Sequence, residues 1–423
     1  MNLVIYYHKK NRYSFNSLLG AIEIDEILKD IKIFIVEKES ELFNLDEIFE
    51  KNSKTIFAFS FFTTQIFEIF DLVKRLKEKY KEKIILIAGG PHPTGDTLNV
   101  LKIGFDFVIR GEGEKSFVEF LKRLKEDSNY KDIKGVSYKD EDGFKIRDLS
   151  ERVDINKYPP FSIKFEKFSP IEITRGCPFF CFYCETPFIF SSKIRHRKIE
   201  NIIYYIEYMK NLNLLDIRFI TPNAFSYGSI DGKSLSLDSL EKLLKEIRSV
   251  IKDKGRIFLG TFPSEVRPEY VNEETLSILK KYADNKTIVI GGQSGSEKIL
   301  EISHRGHSVK DIINAVKLSI KFGYKPMVDF IFGLPGEDER DVEETIKIMS
   351  ELVKMGAKIH AHSFIPLPLT PFQFERSGRV KERIRKFIKD NLKENIVFGD
   401  WGIQQKLGKL IEEYFKKGLD MLS

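Results

Sequence analysis

The strongest constraint on the fold is a rhythm that runs through the chain twice: short apolar runs rich in β-branched and aromatic residues, separated by amphipathic stretches of helical period. The first series comprises Leu3–Tyr7, Ile31–Val36, Thr55–Ser60, Lys83–Gly90 and Phe105–Ile109. Runs of this length suit strands buried on both faces, and helical segments between them return each strand parallel to the last, so the series predicts a doubly wound, Rossmann-like sheet. The second series comprises Ile171–Thr174, Ile217–Thr221, Ile257–Thr261, Thr287–Gly291, Met327–Phe332 and Ile359–Ile365, with helical patterns at 199–212, 238–253, 272–283, 308–322 and 339–355. Six such units predict a partial (β/α)6 barrel. Turn signals at Lys139-Asp-Glu-Asp-Gly143 and Tyr158-Pro-Pro160 mark a hairpin and linker, and Lys381–Lys393 and Gly408–Lys417 read as helices covering the barrel's open side. The predicted organisation is α/β: a Rossmann-like domain over 1–125, the linker over 126–165, the partial barrel over 166–375 and C-terminal helices over 376–423.

In both architectures ligands gather at the carboxyl ends of the strands. In the first series those ends are Ser60–Thr64, Gly89-Gly90-Pro-His92 and Arg110-Gly-Glu-Gly-Glu114, and Ser60, Gly89 and Gly90 are the candidate cofactor-binding residues. Paired glycines let a bulky ligand approach the backbone. Ordinary strand-to-helix turns have the same spacing.

The first strand of the second series runs into Thr174-Arg-Gly-Cys-Pro-Phe-Phe-Cys-Phe-Tyr-Cys-Glu185, which contains every cysteine of the 423-residue chain. Three thiolates can hold an iron–sulfur cluster, and with no fourth cysteine one iron of a four-iron cluster is left for another ligand. A structural zinc site wants four ligands, and the nearest further candidate, His196, stands twelve residues beyond Cys184. Chance clustering of buried cysteines is the other reading. Elsewhere, His304 and His307 read as surface or capping residues. His360 and His362 alternate on a strand and so share a face, and Glu265 and Arg267 suit either a polar cavity or a loop salt bridge.

Charge narrows the partners. The net charge is +6, from 69 Lys and Arg against 63 Asp and Glu, and the signs interleave along helical segments such as Leu72–Glu82. That pattern is a solvated surface, so nucleic acid is disfavoured as a partner. No apolar run approaches the ~18 residues of a membrane span, and the first residues lack a secretory pattern, so a cytoplasmic protein with reduced thiols is expected.

The cysteine spacing after the first strand of a β/α barrel resembles the radical S-adenosylmethionine (SAM) superfamily. The resemblance implies that Cys177, Cys181 and Cys184 hold a [4Fe-4S] cluster whose open iron is chelated by SAM, and that Tyr183 lies against the adenine. Ile290-Gly-Gly-Gln-Ser-Gly-Ser-Glu297 is similar to the fourth-strand segment of that superfamily, which makes Gln293 and Ser294 candidates for the ribose and methionine. Asp329-Phe-Ile-Phe-Gly-Leu-Pro-Gly-Glu337 resembles its fifth-strand turn. His362-Ser-Phe-Ile-Pro-Leu-Pro-Leu-Thr-Pro371 resembles its sixth-strand end, with Leu369 where glycine is usual. The glycine-rich segment expected after the second strand reads Thr221-Pro-Asn-Ala-Phe-Ser226 instead, leaving Asn223 as the candidate there.

The N-terminal half is similar to the cobalamin-binding domain fused to many of these enzymes, although Asp-x-His-x-x-Gly is absent: neither His8 nor His92 lies in it. The resemblance implies an enzyme that cleaves SAM reductively and abstracts a hydrogen atom from a small-molecule or cofactor-like substrate, with cobalamin-dependent methyl transfer. An electron donor such as a ferredoxin or flavodoxin is the expected partner. The alternatives are a methylthiotransferase, which the absence of cysteines from 1 to 176 disfavours, and a non-catalytic corrinoid or redox sensor.

Overall fold

The computed structural model describes residues 1–49, 54–392 and 395–421. Two compact units divide the chain: 1–169 with 367–369 and 413–423, and 170–366 with 370–412.

The first unit is built on strands β1 (Asn2–Tyr6), β2 (Lys32–Val36), β3 (Thr55–Ser60), β4 (Ile84–Gly89), β5 (Phe107–Ile109), β6 (Val136–Asp140) and β7 (Gly143–Lys145). They form one sheet in the order β2-β1-β3-β4-β5-β6-β7, parallel through β5 and antiparallel beyond it. Successive residues of a strand enter opposite faces: Leu3, Ile5, Ile56 and Ala58 pack into one core, Val4, Phe57 and Phe59 into the other. Two covered faces explain why these strands read as unbroken apolar runs. The strand order reverses between β1 and β3, which opens a crevice at their carboxyl ends. The hairpin of β6 and β7 joins the sheet edge.

The second unit contains β8 (Ile171–Glu172), β9 (Thr174–Arg175), β10 (Arg195–His196), β11 (Asp216–Ile220), β12 (Arg256–Phe258), β13 (Thr287–Gln293), β14 (Lys325–Phe332), β15 (Lys358–Ser363) and β16 (Val397–Phe398). Parallel pairing runs β8-β11-β12 and β13-β14-β15-β16, and a bridge from Val266 to Ile290 links the chain beyond β12 to β13. Side-chain caps start the intervening helices: Ser308 accepts from Asp311 N at 3.2 Å, and Asp338 from Arg340 N at 2.9 Å.

Three details differ from the sequence reading. The first strand of the second series is split at Ile173, whose continuation β9 pairs antiparallel with β10. The tail adds β16 to the sheet beside β15 before its last helix, a two-residue strand too short for periodicity to reveal. That helix starts at Trp401, not Gly408: Gly408 lies inside it, where a Cβ would come within 3.2 Å of Phe364 O. Lys393, the expected end of the preceding helix, lies outside the described residues, as do Leu422 and Ser423. Leu369 sits at φ +67°, a left-handed conformation that explains why glycine suits this place in the resembled motif.

Candidate active site

The cysteine loop is held between β9 and β10 by its own backbone. Cys177 N donates to Ser191 O at 3.0 Å, Cys184 N to Cys181 O at 3.0 Å, and Phe182 N to Ser303 O at 3.0 Å. Gly176 takes φ +93°, and a Cβ there would sit 2.5 Å from Lys193 O, so only glycine lets the two sides of the loop meet. His304, expected at the surface or as a cap, pins the loop: its Nδ1 lies 3.0 Å from Phe179 O and 3.1 Å from Phe180 O, and its ring stacks on Phe182.

Two arginines converge on the middle cysteine. Arg305 Nη1 is 3.5 Å and Arg267 Nη1 3.8 Å from Cys181 Sγ, Arg267 lies over the Phe179 ring, and Arg267 also bonds Arg305 O and Glu269. Burial works to raise the Cys181 thiol, but the two guanidiniums outweigh it and hold the group below its usual value. Burial pushes Cys177 up, and burial together with the charge of Cys181 pushes Cys184 up to about 12. The surrounding charges thus favour the thiolate at Cys181 over those at Cys177 and Cys184. Arg305 lies in Ile299–His307, which continues the resemblance to the fourth-strand segment, but it is not a candidate of the sequence reading; the fold carries it to the cysteines.

The other candidates are distributed around this pair. Gln293 ends β13 at φ +72°, and a Cβ on Gly291 would come within 2.7 Å of Arg305 Nη2 and 2.9 Å of Gln293 Nε2. Gln293 therefore folds back beside Arg305, whose Nη2 donates to Gly291 O at 2.8 Å. Ser294 is turned to local work, accepting from Ser296 N at 3.2 Å. Asn223 is buried, with Oδ1 accepting from Arg267 N at 3.3 Å and Nδ2 without a partner among the described residues. Tyr183 packs against the cluster of Ile299, Leu334, Phe364 and Phe372, and its hydroxyl is buried without a partner among the described residues.

Orphaned polar atoms concentrate here. Of ten buried side-chain N and O atoms lacking a hydrogen-bond partner among the described residues, seven belong to this region: Tyr183 and Glu185 on the loop, Asn223 and Glu269 beyond the second and third strands, and Ser303, Arg305 and His307 beyond the fourth. Buried polar groups are normally satisfied, so a concentration of exceptions marks a place for a polar ligand.

A second polar group lies on β14 and β15. The register sets Asp329 opposite His360, with His362 two residues on and on the same face. Glu265 beside it is pushed up to about 8, by burial first and then by the charge of Asp329, with which it shares a hydrogen bond. Asp329 is held below its usual value, because the two imidazoles outweigh the opposing effect of burial.

In the first unit the three candidates are adjacent. Gly90 takes φ +92°, and a Cβ there would strike Ser60 Oγ at 2.7 Å, so Ser60 is packed beneath the glycine. Gly89 has open space, with nothing nearer to an added Cβ than Ile109 O at 3.7 Å. His92 is fully buried, its Nδ1 3.1 Å from Thr63 Oγ1, and its ring packs against Phe61 and Tyr414. Half-buried His8 has its Nδ1 3.3 Å from Gln65 Nε2.

The family profile described as the Radical SAM superfamily matches residues 171–349, and that of the B12 binding domain matches 19–121. The chain contains a radical SAM domain and a B12 binding domain. The radical SAM domain begins at β8, and both domains together imply an enzyme with a [4Fe-4S] cluster, SAM and cobalamin as cofactors. Among similar proteins, an uncharacterised protein of Methanocaldococcus jannaschii is 27% identical over 93% of this chain and 84% of its own length. An uncharacterised methyltransferase of Pyrococcus horikoshii is 28% identical over 76% and 70%. A tRNA-2-methylthio-N(6)-dimethylallyladenosine synthase of Moorella thermoacetica is 28% identical over 43% and 40%. Among solved structures, the radical SAM methyltransferase TsrM of Kitasatospora setae, with cobalamin and a [4Fe-4S] cluster, superposes with TM-score 0.66 at 16% identity, covering 89% of this chain and 77% of that one. This likeness bears on the fold alone. No helix among the described residues is long and apolar enough to cross a membrane.

Proposed function

We propose that this protein is a cobalamin-dependent radical SAM methyltransferase of a small-molecule substrate. The observation that carries the reading is Cys181 set between Arg267 and Arg305, within a region that holds seven of the ten orphaned buried polar atoms. On this reading Cys177, Cys181 and Cys184 bind the cluster, and Arg305, Gln293 and Asn223 Nδ2 supply donors for the polar groups of SAM. Tyr183 offers its ring to the adenine. When bound, the cluster and SAM supply a carbon radical that removes a hydrogen atom from the substrate, and cobalamin supplies a methyl group. The protein's own part is to hold these groups in place and keep water away from the reacting atoms.

Gly89 and Gly90 offer backbone for a large cofactor at the strand ends, with Ser60 supporting Gly90 from below. His92 is fully buried with its Nδ1 on Thr63 Oγ1 and would not be offered to a bound cobalamin, while His8 is held at Nδ1 by Gln65; the residues that would meet the cofactor are Gly89 and Gly90. Methylthio transfer is not preferred: the second cluster of such enzymes takes three further cysteines, and this chain has three in all.

The test is anaerobic reconstitution with iron, sulfide and hydroxocobalamin, followed by incubation with SAM and a strong reductant. About four irons and one cobalt per chain, with 5′-deoxyadenosine released, is the expected result. A full cluster without 5′-deoxyadenosine sinks the enzyme reading. Four irons without cobalt removes the methyl transfer.

A further inference from the structure

Asp329, His360 and His362 bring three ligand atoms to one point. Asp329 Oδ1 lies 2.9 Å from His360 Nδ1, His360 Nδ1 lies 3.1 Å from His362 Nε2, and His362 Nε2 lies 3.9 Å from Asp329 Oδ1. An ion ~2.1 Å from each atom subtends angles of about 90°, 95° and 135° at these separations, within the range of a distorted three-ligand face. We propose that Asp329, His360 and His362 form a binding site for a divalent first-row metal ion such as zinc or iron(II), separate from the cysteine loop.

The surroundings are those of a metal site. Two of the ligands are held from behind: Glu265 bonds to Asp329, and the Phe398 ring stacks on His360 at 4.6 Å and 10°. Such outer contacts fix the orientation of ligating imidazoles and carboxylates. Asp329 is almost wholly covered, whereas the His360 and His362 side chains keep 33% and 28% of their surface open. Three protein ligands and an open side leave coordination positions for an oxygen or nitrogen of a substrate.

Protons alone do not satisfy the trio. Gln404 Oε1 accepts from Ser363 N at 2.9 Å, which turns its amide nitrogen toward His362 Nδ1 and makes that atom an acceptor. Neutral His362 then carries its proton on Nε2, facing His360 Nδ1. If His360 Nδ1 carries a proton for Asp329, two N–H groups oppose each other; if it is bare, it opposes the carboxylate of Asp329. A cation replaces both conflicts with three lone pairs on one centre. His362 then carries its proton on Nδ1, so the half-buried Gln404 amide must turn over, at the cost of its bond with Ser363 N.

The cost at Gln404 supplies the test. The full chain, reconstituted so that its cysteines are occupied, is titrated anaerobically with zinc by calorimetry while the cluster absorbance is followed. One zinc per chain is expected, with Kd raised at least ~100-fold in His360→Ala/His362→Ala and lowered about 10-fold in Gln404→Glu. A carboxylate at 404 accepts from both Ser363 N and His362 Nδ1–H without the turn that the wild-type amide must make, so zinc binds more tightly; a trio held together by protons alone gains no zinc affinity from it. A Cys177→Ala/Cys181→Ala/Cys184→Ala chain keeps the trio's zinc even if the cluster assignment fails, so the two readings fail separately. The proposal is overturned if the wild-type chain binds no zinc, if His360→Ala/His362→Ala retains it, or if Gln404→Glu leaves the affinity unchanged.

Discussion

The strand ends of the two units answer the same architectural rule with opposite chemistry. In the barrel, two arginines, three thiols and a set of orphaned donors and acceptors crowd the carboxyl ends of the first four strands. In the N-terminal sheet the loops after β3 and β4, Ser60–Gln65 and Gly89–Gly95, contain no Asp, Glu, Lys or Arg and are packed by Phe61, Phe105 and a buried neutral His92. Beyond β5, Arg110 donates to Thr94 O and Glu112 accepts from Val153 N; Asn11 Oδ1 and His92 Nε2 are the orphans of this sheet among the described residues. The comparison teaches that a doubly wound sheet and a barrel create room at the same place, but the barrel turns guanidiniums onto its thiols, whereas the loops after β3 and β4 offer uncharged backbone and aromatic rings. A polar, chelating ligand suits the second; a large cofactor approached through backbone and apolar contact suits the first.

The contrast breaks most visibly at Cys181. Cys181→Ala is expected to reduce bound iron from about four per chain to background and to abolish 5′-deoxyadenosine formation, as measured by iron assay and chromatography. Next comes the arginine pair. Arg305→Gln should keep the cluster absorbance yet lower the rate of SAM cleavage by about 100-fold, because a buried guanidinium facing an anionic ligand is worth several kcal/mol. An unchanged rate would remove Arg305 from the site.

In the N-terminal unit the expected effects concern stability. Burial pushes His92 down to about 4, with Asp96 opposing it, whereas an unfolded histidine titrates near 6.5. Between those values the unfolded chain binds the extra proton, so stability is complete above about pH 6.5 and falls by about 3 kcal/mol as the pH drops to about 4. His92→Gln should flatten that part of the unfolding profile of the first unit; a slope equal to wild type would refute the assignment. The smallest effect is at Tyr414, whose hydroxyl bonds Asp96 Oδ2: Tyr414→Phe should cost about 1 kcal/mol in denaturant unfolding and leave iron content unchanged.

Much of the fold was legible because it is written in local periodicity. β3 and β4 emerge within a residue or two of their apolar runs, since strands covered on both faces are apolar throughout. β16 and the split at Ile173 were not legible, because two-residue strands carry no period. At the site, Gln293 and Asn223 were reachable through motif position, and both stand beside an arginine bonded to Cys181. Arg305 and the clamping role of His304 were not, since nothing within the chain near 304 points to residues 179–181.

Sequence alone determined that all the thiols share one loop after the first strand of a β/α series, because cysteine count and strand period are local quantities. Tertiary structure alone decided which charges meet them. Arg267 and Arg305 reach Cys181 from loops 86 and 124 residues away in sequence, and Asp329 meets His360 across 31 residues through the register of two parallel strands. Electrostatic influence in a buried site falls off with distance through space, not along the chain, so it exists only once the strands of the second unit have come together.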